Sequence, residues 1–382
     1  MNFEPTEDQK RIREAVREFA DAEIAPHVAR WENEDRFPRE ILGRLGELGV
    51  MGMMIPESCG GAGADALSYV FAIEELARVS ASTAVIVSVN NSVACYPIWK
   101  FGSEKQKAEI LTPLASGKAL GAYALTEPQS GSDAANQKTT AVRDGSGYTL
   151  NGAKAWITNA GEADWYVVMA MTEASAGTHG ITAFLVSAKD RGLRVGAAED
   201  KMGLRSSKTA AIYFEDLRLG EDRRLGAEGQ GFTIAMTTLD HSRIGIAAQG
   251  IGIAQASYEA AVEYARTRES FGKKLAEHEA IAFQIADMRV QLDAARALTY
   301  RAALRSETPG VRFSKESSMA KVYATEAANA IAARAVQIFG GYGYSKEYPV
   351  ERYYRDARVT TIYEGTSEIQ RIVISKNVLA GR

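Results

Sequence analysis

The stretch G-Y-T-L-N-G-A-K-A-W-I-T-N-A-G, residues 147–161, marks where the chain changes rhythm. Tyr148–Leu150 and Ala153–Thr158 read as short strands, with Asn151-Gly152 and Asn159-Ala160-Gly161 as turn signals. Thr139–Val142, Trp165–Met171, Ile181–Val186 and Ala210–Leu217 repeat the pattern, and Asp144-Gly145 adds another turn. Strands at this spacing, from about Gly121 to Leu225, predict a compact antiparallel sheet or barrel. Side chains alternate along a strand, so Trp156 and Thr158 share one face. That face suits core packing, or an aromatic ligand laid against a flat ring and a hydroxyl.

Helical patterns flank this region on both sides. Before it, Thr6 with Gln9 and Ser103 with Gln106 make capping-box signatures ahead of apolar residues at helical spacing. The glycine-rich turn Gly60–Gly63 follows no clear strand and lacks G-x-G-x-x-G, which excludes a dinucleotide-binding loop there. After it, Phe232–Arg268, Glu277–Ser306, Ser314–Phe339 and a shorter segment beyond Thr366 read as a helical bundle. The expected fold is α+β: an all-α domain over residues 1–120, a β-barrel or sheet domain over 121–225 and a four-helix-bundle domain over 226–382. Clefts at such boundaries are the usual places for cofactors.

Composition narrows the function classes. The 382 residues are 46% hydrophobic and 24% charged, and 45 basic against 48 acidic residues leave a net charge of −3. No basic stretch suggests a nucleic-acid groove. Two cysteines, Cys59 and Cys95, fit a reducing compartment, and the four histidines lack metal-ligand spacing. Glu4, Glu7 and Asp8 do not form a signal pattern, and Ala81–Ala94 is too polar for a membrane span. A cytoplasmic protein without a membrane span or metal is expected.

Four segments carry possible chemistry. In V-T-T-I-Y-E-G-T-S-E-I-Q-R, residues 359–371, Glu364 sits before a helix start that Thr366 or Ser367 can cap, with Glu368 or Gln370 within reach for reciprocal capping. A carboxylate there can take a proton from a ligand, Gly365 permits close backbone approach, and the helix N-terminus favours developing negative charge. The same string also describes a capped surface helix with a solvated Glu. Around Tyr123–Asp133, the Thr126 and Ser132 hydroxyls and the Gly131 N–H can meet a polar ring or phosphate, or simply form a turn. Arg268, Ser270 and Phe271 follow a long helix, where Arg268 can clamp a pyrophosphate or merely end the helix near a glycine cap. Gln337 to Tyr344 holds three glycines that permit ligand approach or stop a helix.

Jointly, T-E-P-x-x-G-S-D, W-I-T-N, R-x-x-F-G, Q-x-x-G-G-x-G-Y and I-Y-E-G-T-S-x-I-Q-R resemble the acyl-CoA dehydrogenase family of flavoproteins across essentially the whole chain. The resemblance implies FAD-dependent α,β-dehydrogenation of an acyl-CoA thioester to a trans-2-enoyl-CoA. Glu364 would be the α-proton base, and a hydride would leave the β-carbon for flavin N5. It implies flavin contacts at Tyr123, Leu125, Thr126, Gly131, Ser132, Trp156 and Thr158. Contacts to the adenosine-diphosphate part, from a neighbouring subunit, would come from Arg268, Ser270, Phe271, Gln337 and Gly341. Thr366 and Glu368 resemble FAD contacts near the base. Ser132, Arg243, Tyr363 and Gly365 resemble substrate contacts. An electron-transfer flavoprotein partner and a homotetramer built as a dimer of dimers are further implications.

Two positions depart from the family pattern: His241-Ser242 replaces a small pair before Arg243, and Ser270 stands where Thr is common. The intact Y-E-G-T-S favours a short- or medium-chain straight acyl group or a 2-methyl-branched one, in fatty-acid or branched amino-acid breakdown. Competing readings are an acyl-CoA oxidase or flavin monooxygenase on the same scaffold, and a non-catalytic scaffold protein.

Overall fold

In a computed structural model that describes residues 5–381, the helix–sheet–helix order holds. The first helical part contains α1 Glu7–Phe19, α2 Ala25–Asn33, α3 Arg39–Glu47, α4 Ala66–Val79, α5 Ala81–Val89, α6 Tyr96–Phe101, α7 Glu104–Gln106 and α8 Thr112–Ala115. Both capping boxes form, Thr6 with Gln9 and Ser103 with Gln106. α4 is buried along all of its length except Arg78. A helix apolar on every side belongs in an interior, and α4 packs against the long helix α9 Gly231–Thr267 of the second helical part. Its buried Glu74 and Glu75 are paired with Arg13, Arg17, Arg78 and Arg296, which ties α1, α4 and α10 Glu279–Ser306 together.

The strands are β1 Gly121–Ala124, β2 Thr140–Asp144, β3 Gly147–Thr158, β4 Trp165–Met171, β5 Ile181–Ser187, β6 Leu193–Ala198, β7 Thr209–Gly220 and β8 Arg224–Leu225. They form one sheet in the order β6-β7-β3-β2-β4-β5-β8, with β1 added beside β4. Most pairings are antiparallel, as expected, but β1 and β2 run parallel to β4, so the sheet is mixed. Asn151-Gly152 is not a turn. It is a bulge inside one continuous strand β3, and a second register shift lies between Lys154 and Ile157. Bulges re-aim side chains: Ile157 is buried, while Trp156 is turned outward with φ 59° and is 61% exposed.

The second helical part adds α11 Ser314–Phe339, α12 Val350–Thr360 and α13 Ser367–Leu379 to α9 and α10. α9, α10 and α11 pack on one another, and α13 packs on α11, which gives the expected bundle. α12 escaped the periodicity reading because only Val350, Asp356, Ala357 and Thr360 of its residues are buried. Among the described residues, no helix is long and apolar enough to cross a membrane.

Buried asparagines seat the sheet on the first helical part. Asn90 lies in a π-helical turn after α5 and accepts from the Gly121 N–H at 2.8 Å, while Asn159 donates to the Gly121 carbonyl at 3.0 Å. β1, and Tyr123 with it, is thereby fixed against the helices.

Candidate functional site

The site grows from the link between α12 and α13. Glu364 has φ 51° and Gly365 φ 92°, two successive left-handed residues. A non-glycine residue held there costs about 1–3 kcal/mol and persists only where its surroundings enforce it. Here they do. Thr366 caps α13 by accepting from the Ile369 N–H at 3.3 Å, and the Ser367 N–H reaches the Thr361 carbonyl at 3.0 Å. Reciprocal capping by Glu368 or Gln370 does not form. The Gln370 amide instead turns inward and donates to the Gly365 carbonyl at 2.9 Å. From α11, Lys321 Nζ donates to the same carbonyl at 2.7 Å.

This turn aims the Glu364 side chain inward, so the solvated-surface alternative fails. The residue is half-buried, yet its Oε2 is sealed from solvent and has no hydrogen-bond partner. Burial pushes its pKa up, against the opposing pull of the Ser242 hydroxyl, Lys321 and Arg243. Three phenols lie close enough to feel its charge: Tyr69 of α4, Tyr123 of β1 and the adjacent Tyr363. Burial, with the Glu364 charge adding to it, raises all three, and the Tyr123 hydroxyl is buried without a partner.

Further polar contacts hold two of these phenols. The Tyr363 hydroxyl donates to Gln249 Oε1, and Gln249 Nε2 donates to the Ala81 carbonyl at 2.8 Å. The Tyr69 hydroxyl and Ser88 Oγ are 2.9 Å apart. Gly245 of α9 faces this pair: a Cβ there would lie 2.4 Å from the Tyr69 hydroxyl and 2.7 Å from Ser88 Oγ.

The sheet contributes a second group. Lys154 on β3 is fully buried, and its Nζ reaches the Leu125 carbonyl at 3.2 Å, Glu127 Oε1 at 2.8 Å and Gln137 Oε1 at 3.1 Å. Glu127 also accepts from the Lys138 and Thr139 N–H groups. The Ala155 N–H donates to the Thr126 carbonyl at 2.9 Å. Buried Leu125 and half-buried Thr126 are therefore clasped to the strand that carries exposed Trp156 and half-buried Thr158. Gly131 and Ser132 are exposed just beyond the clasp.

Other expected residues lie apart from this cluster. Arg268, Ser270 and Gly341 line a groove of about 560 Å³, with the Arg268 guanidinium 5.5 Å from the Tyr342 ring centre. Gly272 is no helix cap. Phe271-Gly272 forms the two-residue turn of a small hairpin, and Phe271 is 96% exposed at its tip. Gln337 is exposed on the last turn of α11, and Glu368 is exposed on the first turn of α13. Arg243 is buried beside Asp240 at 2.5 Å, and its Nε has no partner. His241 packs between the rings of Tyr96 and Phe313; burial, helped by Lys100, pulls it down to about 4, so it is neutral at pH 7.

Sequence reasoning missed Ser242, Gln249, Lys321, Tyr69, Ser88 and Lys154. One signal was present: Ser317, Ala320, Lys321, Ala324 and Ala328 fall on one buried stripe of α11, so a lysine interrupts an apolar face.

Family models described as the acyl-CoA dehydrogenase N-terminal, middle and C-terminal domains match residues 6–118, 122–217 and 229–379. A Bacillus subtilis protein named acyl-CoA dehydrogenase is 50% identical over 376 residues, covering 98% of this chain and 99% of its own. The mitochondrial short-chain specific acyl-CoA dehydrogenase of Mus musculus is 50% identical over 379 residues, covering 99% and 92%. The structure of butyryl-CoA dehydrogenase from Megasphaera elsdenii superposes with a TM-score of 0.97 at 44% identity, covering 99% and 100%.

Proposed function

This chain belongs to the acyl-CoA dehydrogenase family, whose enzymes carry FAD, and from that premise we propose that it dehydrogenates short straight-chain acyl-CoA thioesters with Glu364 as the base. The observation that carries this reading is the sealed, partnerless carboxylate oxygen of Glu364 on a strained turn facing the interior. A carboxylate with a raised pKa is suited to general-base work near neutral pH.

The residues present fit a flavin. Trp156 offers an exposed ring on a bulged strand, and Tyr123 leaves a buried hydroxyl without a partner. Leu125, Thr126, Trp156 and Thr158 would hold the ring system, with Gly131, Ser132, Thr366 and Glu368 at its edges. Arg268, Ser270, Phe271, Gln337 and Gly341 would serve the adenosine-diphosphate end in a neighbouring subunit, which requires an oligomer; a homotetramer built as a dimer of dimers is the form that family resemblance implies. FAD, when bound, supplies the oxidising power that takes up the electrons leaving the acyl chain.

The chain's own groups do the rest. Glu364 removes the α-proton, and its backbone N–H, held in the left-handed turn, donates to the thioester oxygen as negative charge develops there. Tyr363, Gly365 and the neighbouring phenols exclude water around the reacting carbons. Arg243 and Ser132 would contact the CoA part, with neutral His241 two residues before Arg243 on the same helix. An electron-transfer flavoprotein is the electron acceptor in this reading, and the cytoplasm its setting.

A short acyl chain is the reading that the buried polar pairs near the base support. In this reading the acyl chain would end at the buried Tyr363–Gln249 and Tyr69–Ser88 pairs, and a longer chain would have to break those hydrogen bonds to enter. Gly245→Ala would force the Tyr69–Ser88 pair aside. Overpacking of this kind costs about 1–3 kcal/mol. Chemical denaturation should show that loss, and kcat/KM should fall more for hexanoyl-CoA than for butyryl-CoA. Equal losses for both would separate Gly245 from chain-length control.

Arg268→Ala should weaken FAD retention by roughly ten-fold or more, the loss of one charge-assisted contact, with little change in kcat once FAD is saturating. Unchanged FAD affinity would remove Arg268 from the cofactor site.

The function itself is tested by anaerobic titration of the flavin-loaded protein with butyryl-, hexanoyl-, octanoyl- and 2-methylbutyryl-CoA. Prompt bleaching of the flavin by butyryl-CoA and little by octanoyl-CoA is expected. A yellow protein that none of them reduces would end the proposal.

A further inference from the structure

We propose that Lys321 is a positioning residue for the base: its ammonium holds the Gly365 carbonyl, keeping the Glu364–Gly365 turn left-handed, and sets a positive charge opposite the Glu364 carboxylate. This inference rests on Glu364 being the base.

Lys321 is fully buried in the N-terminal third of α11, on a stripe otherwise made of alanine and serine. Burying an ammonium is expensive unless something compensates it, and a hydrophobic residue of similar size usually stabilises an interior better. Among the described residues, Lys321 forms no ion pair within 4.0 Å, the usual compensation. Its Nζ is instead spent on one backbone carbonyl, that of Gly365, at 2.7 Å. A carbonyl already served by the Gln370 amide at 2.9 Å does not need an ammonium for hydrogen-bond satisfaction alone. The placement makes sense for what lies next to that carbonyl. Lys321 holds the carbonyl of the peptide after Gly365, while Gln370 Nε2 also reaches the Glu364 carbonyl at 3.3 Å, so the two residues together hold the turn on which the Glu364 side chain and N–H stand.

The charged groups facing Lys321 come from several elements. Glu364 stands on the turn, Glu368 on α13 and Glu326 on α11 itself, while Arg243 on α9 opposes with like charge. Arg243 is in turn neutralised by Asp240. Tyr69, Tyr123 and Tyr363 surround Glu364. Burial pulls Lys321 down to about 7 despite Glu364, so it carries its charge mainly below neutral pH. A cation there favours the ionised base, and removing it moves the Glu364 pKa upward.

The test uses the flavin-loaded enzyme with Lys321→Gln, Lys321→Met and Glu364→Gln. Gln keeps a donor for the Gly365 carbonyl but removes the charge; Met removes both. For Lys321→Gln, the acid limb of the kcat profile should move up by about half a pH unit or more, with flavin content and KM nearly unchanged. Lys321→Met should show the same shift and a further fall in kcat of roughly ten-fold or more from misplacement of the base. A role confined to stability would lower the melting temperature and leave the acid limb in place. Variants with the wild-type acid limb and kcat would overturn the inference. If Lys321→Met does not fold, the acid limb of Lys321→Gln decides alone. Glu364→Gln separates the two levels. If it is inactive while the Lys321 variants match wild type, only the Lys321 inference falls; if it turns over normally, the base assignment falls first.

Discussion

Glu364→Gln should lower kcat by roughly 10²–10⁴-fold, the usual worth of a positioned general base, while FAD and acyl-CoA binding persist. Gln keeps the shape of the side chain and cannot accept the α-proton. Rapid-mixing measurement of flavin bleaching with butyryl-CoA reads the chemical step directly. The wild-type profile carries the matching pH signature. Burial raises the Glu364 pKa, and the base acts only when ionised, so kcat should fall as pH drops through that raised value rather than through the ordinary carboxylate range. Near-normal bleaching by the variant would place the base elsewhere in the site.

Lys154→Met should cost about 3–5 kcal/mol, the penalty for leaving one partner of a buried ion pair uncompensated. Glu127 would remain in the interior with only backbone and amide donors. Burial opposes ionisation of Glu127, but Lys154 and the Lys138 and Thr139 amides outweigh it and hold the carboxylate down to about 2. Burial also draws Lys154 down to about 8 against the pull of Glu127. The two partners thus differ on how favourable the pair is. The ion pair is the resting form at neutral pH, because three oxygens surround the ammonium and several donors surround the carboxylate.

The sign of the pH effect follows from the depressed carboxylate. Glu127 contributes stability above its ordinary value of 4.5, and that stability is lost as pH falls through about 2. In the variant, the 125–132 segment keeps the Ala155–Thr126 backbone bond but loses the Lys154 contacts of its clasp to β3, so FAD should dissociate more readily and the melting temperature should drop. The double variant Lys154→Met/Glu127→Gln should recover part of the stability, since no lone charge stays buried. A single variant as stable and as yellow as wild type would show that the clasp does nothing for the flavin segments.

The order of helices, strands and caps was legible because its causes are local. The capping boxes at Thr6 and Ser103 and the end of α11 at Phe339 follow from residues a few positions apart. Where local reading failed, a tertiary contact had overridden it. Asn151-Gly152 carries a turn signal, yet β7 pairs on both sides of it and makes it a bulge. Gln370 sits within reach for reciprocal capping, yet the carbonyl of Gly365 draws its amide inward.

The sequence by itself determined the helix–sheet–helix frame, and its motifs pointed to the turn that carries Glu364. Periodicity, capping and motif spacing are short-range properties that survive without knowledge of the rest of the chain. The tertiary structure alone decided what surrounds that carboxylate. Tyr69 arrives from α4, Tyr123 from β1, Ser242 and Gln249 from α9 and Lys321 from α11. Burial, charge and hydrogen bonding act through space, so the state of Glu364 depends on residues brought together only when the two helical parts close on the sheet.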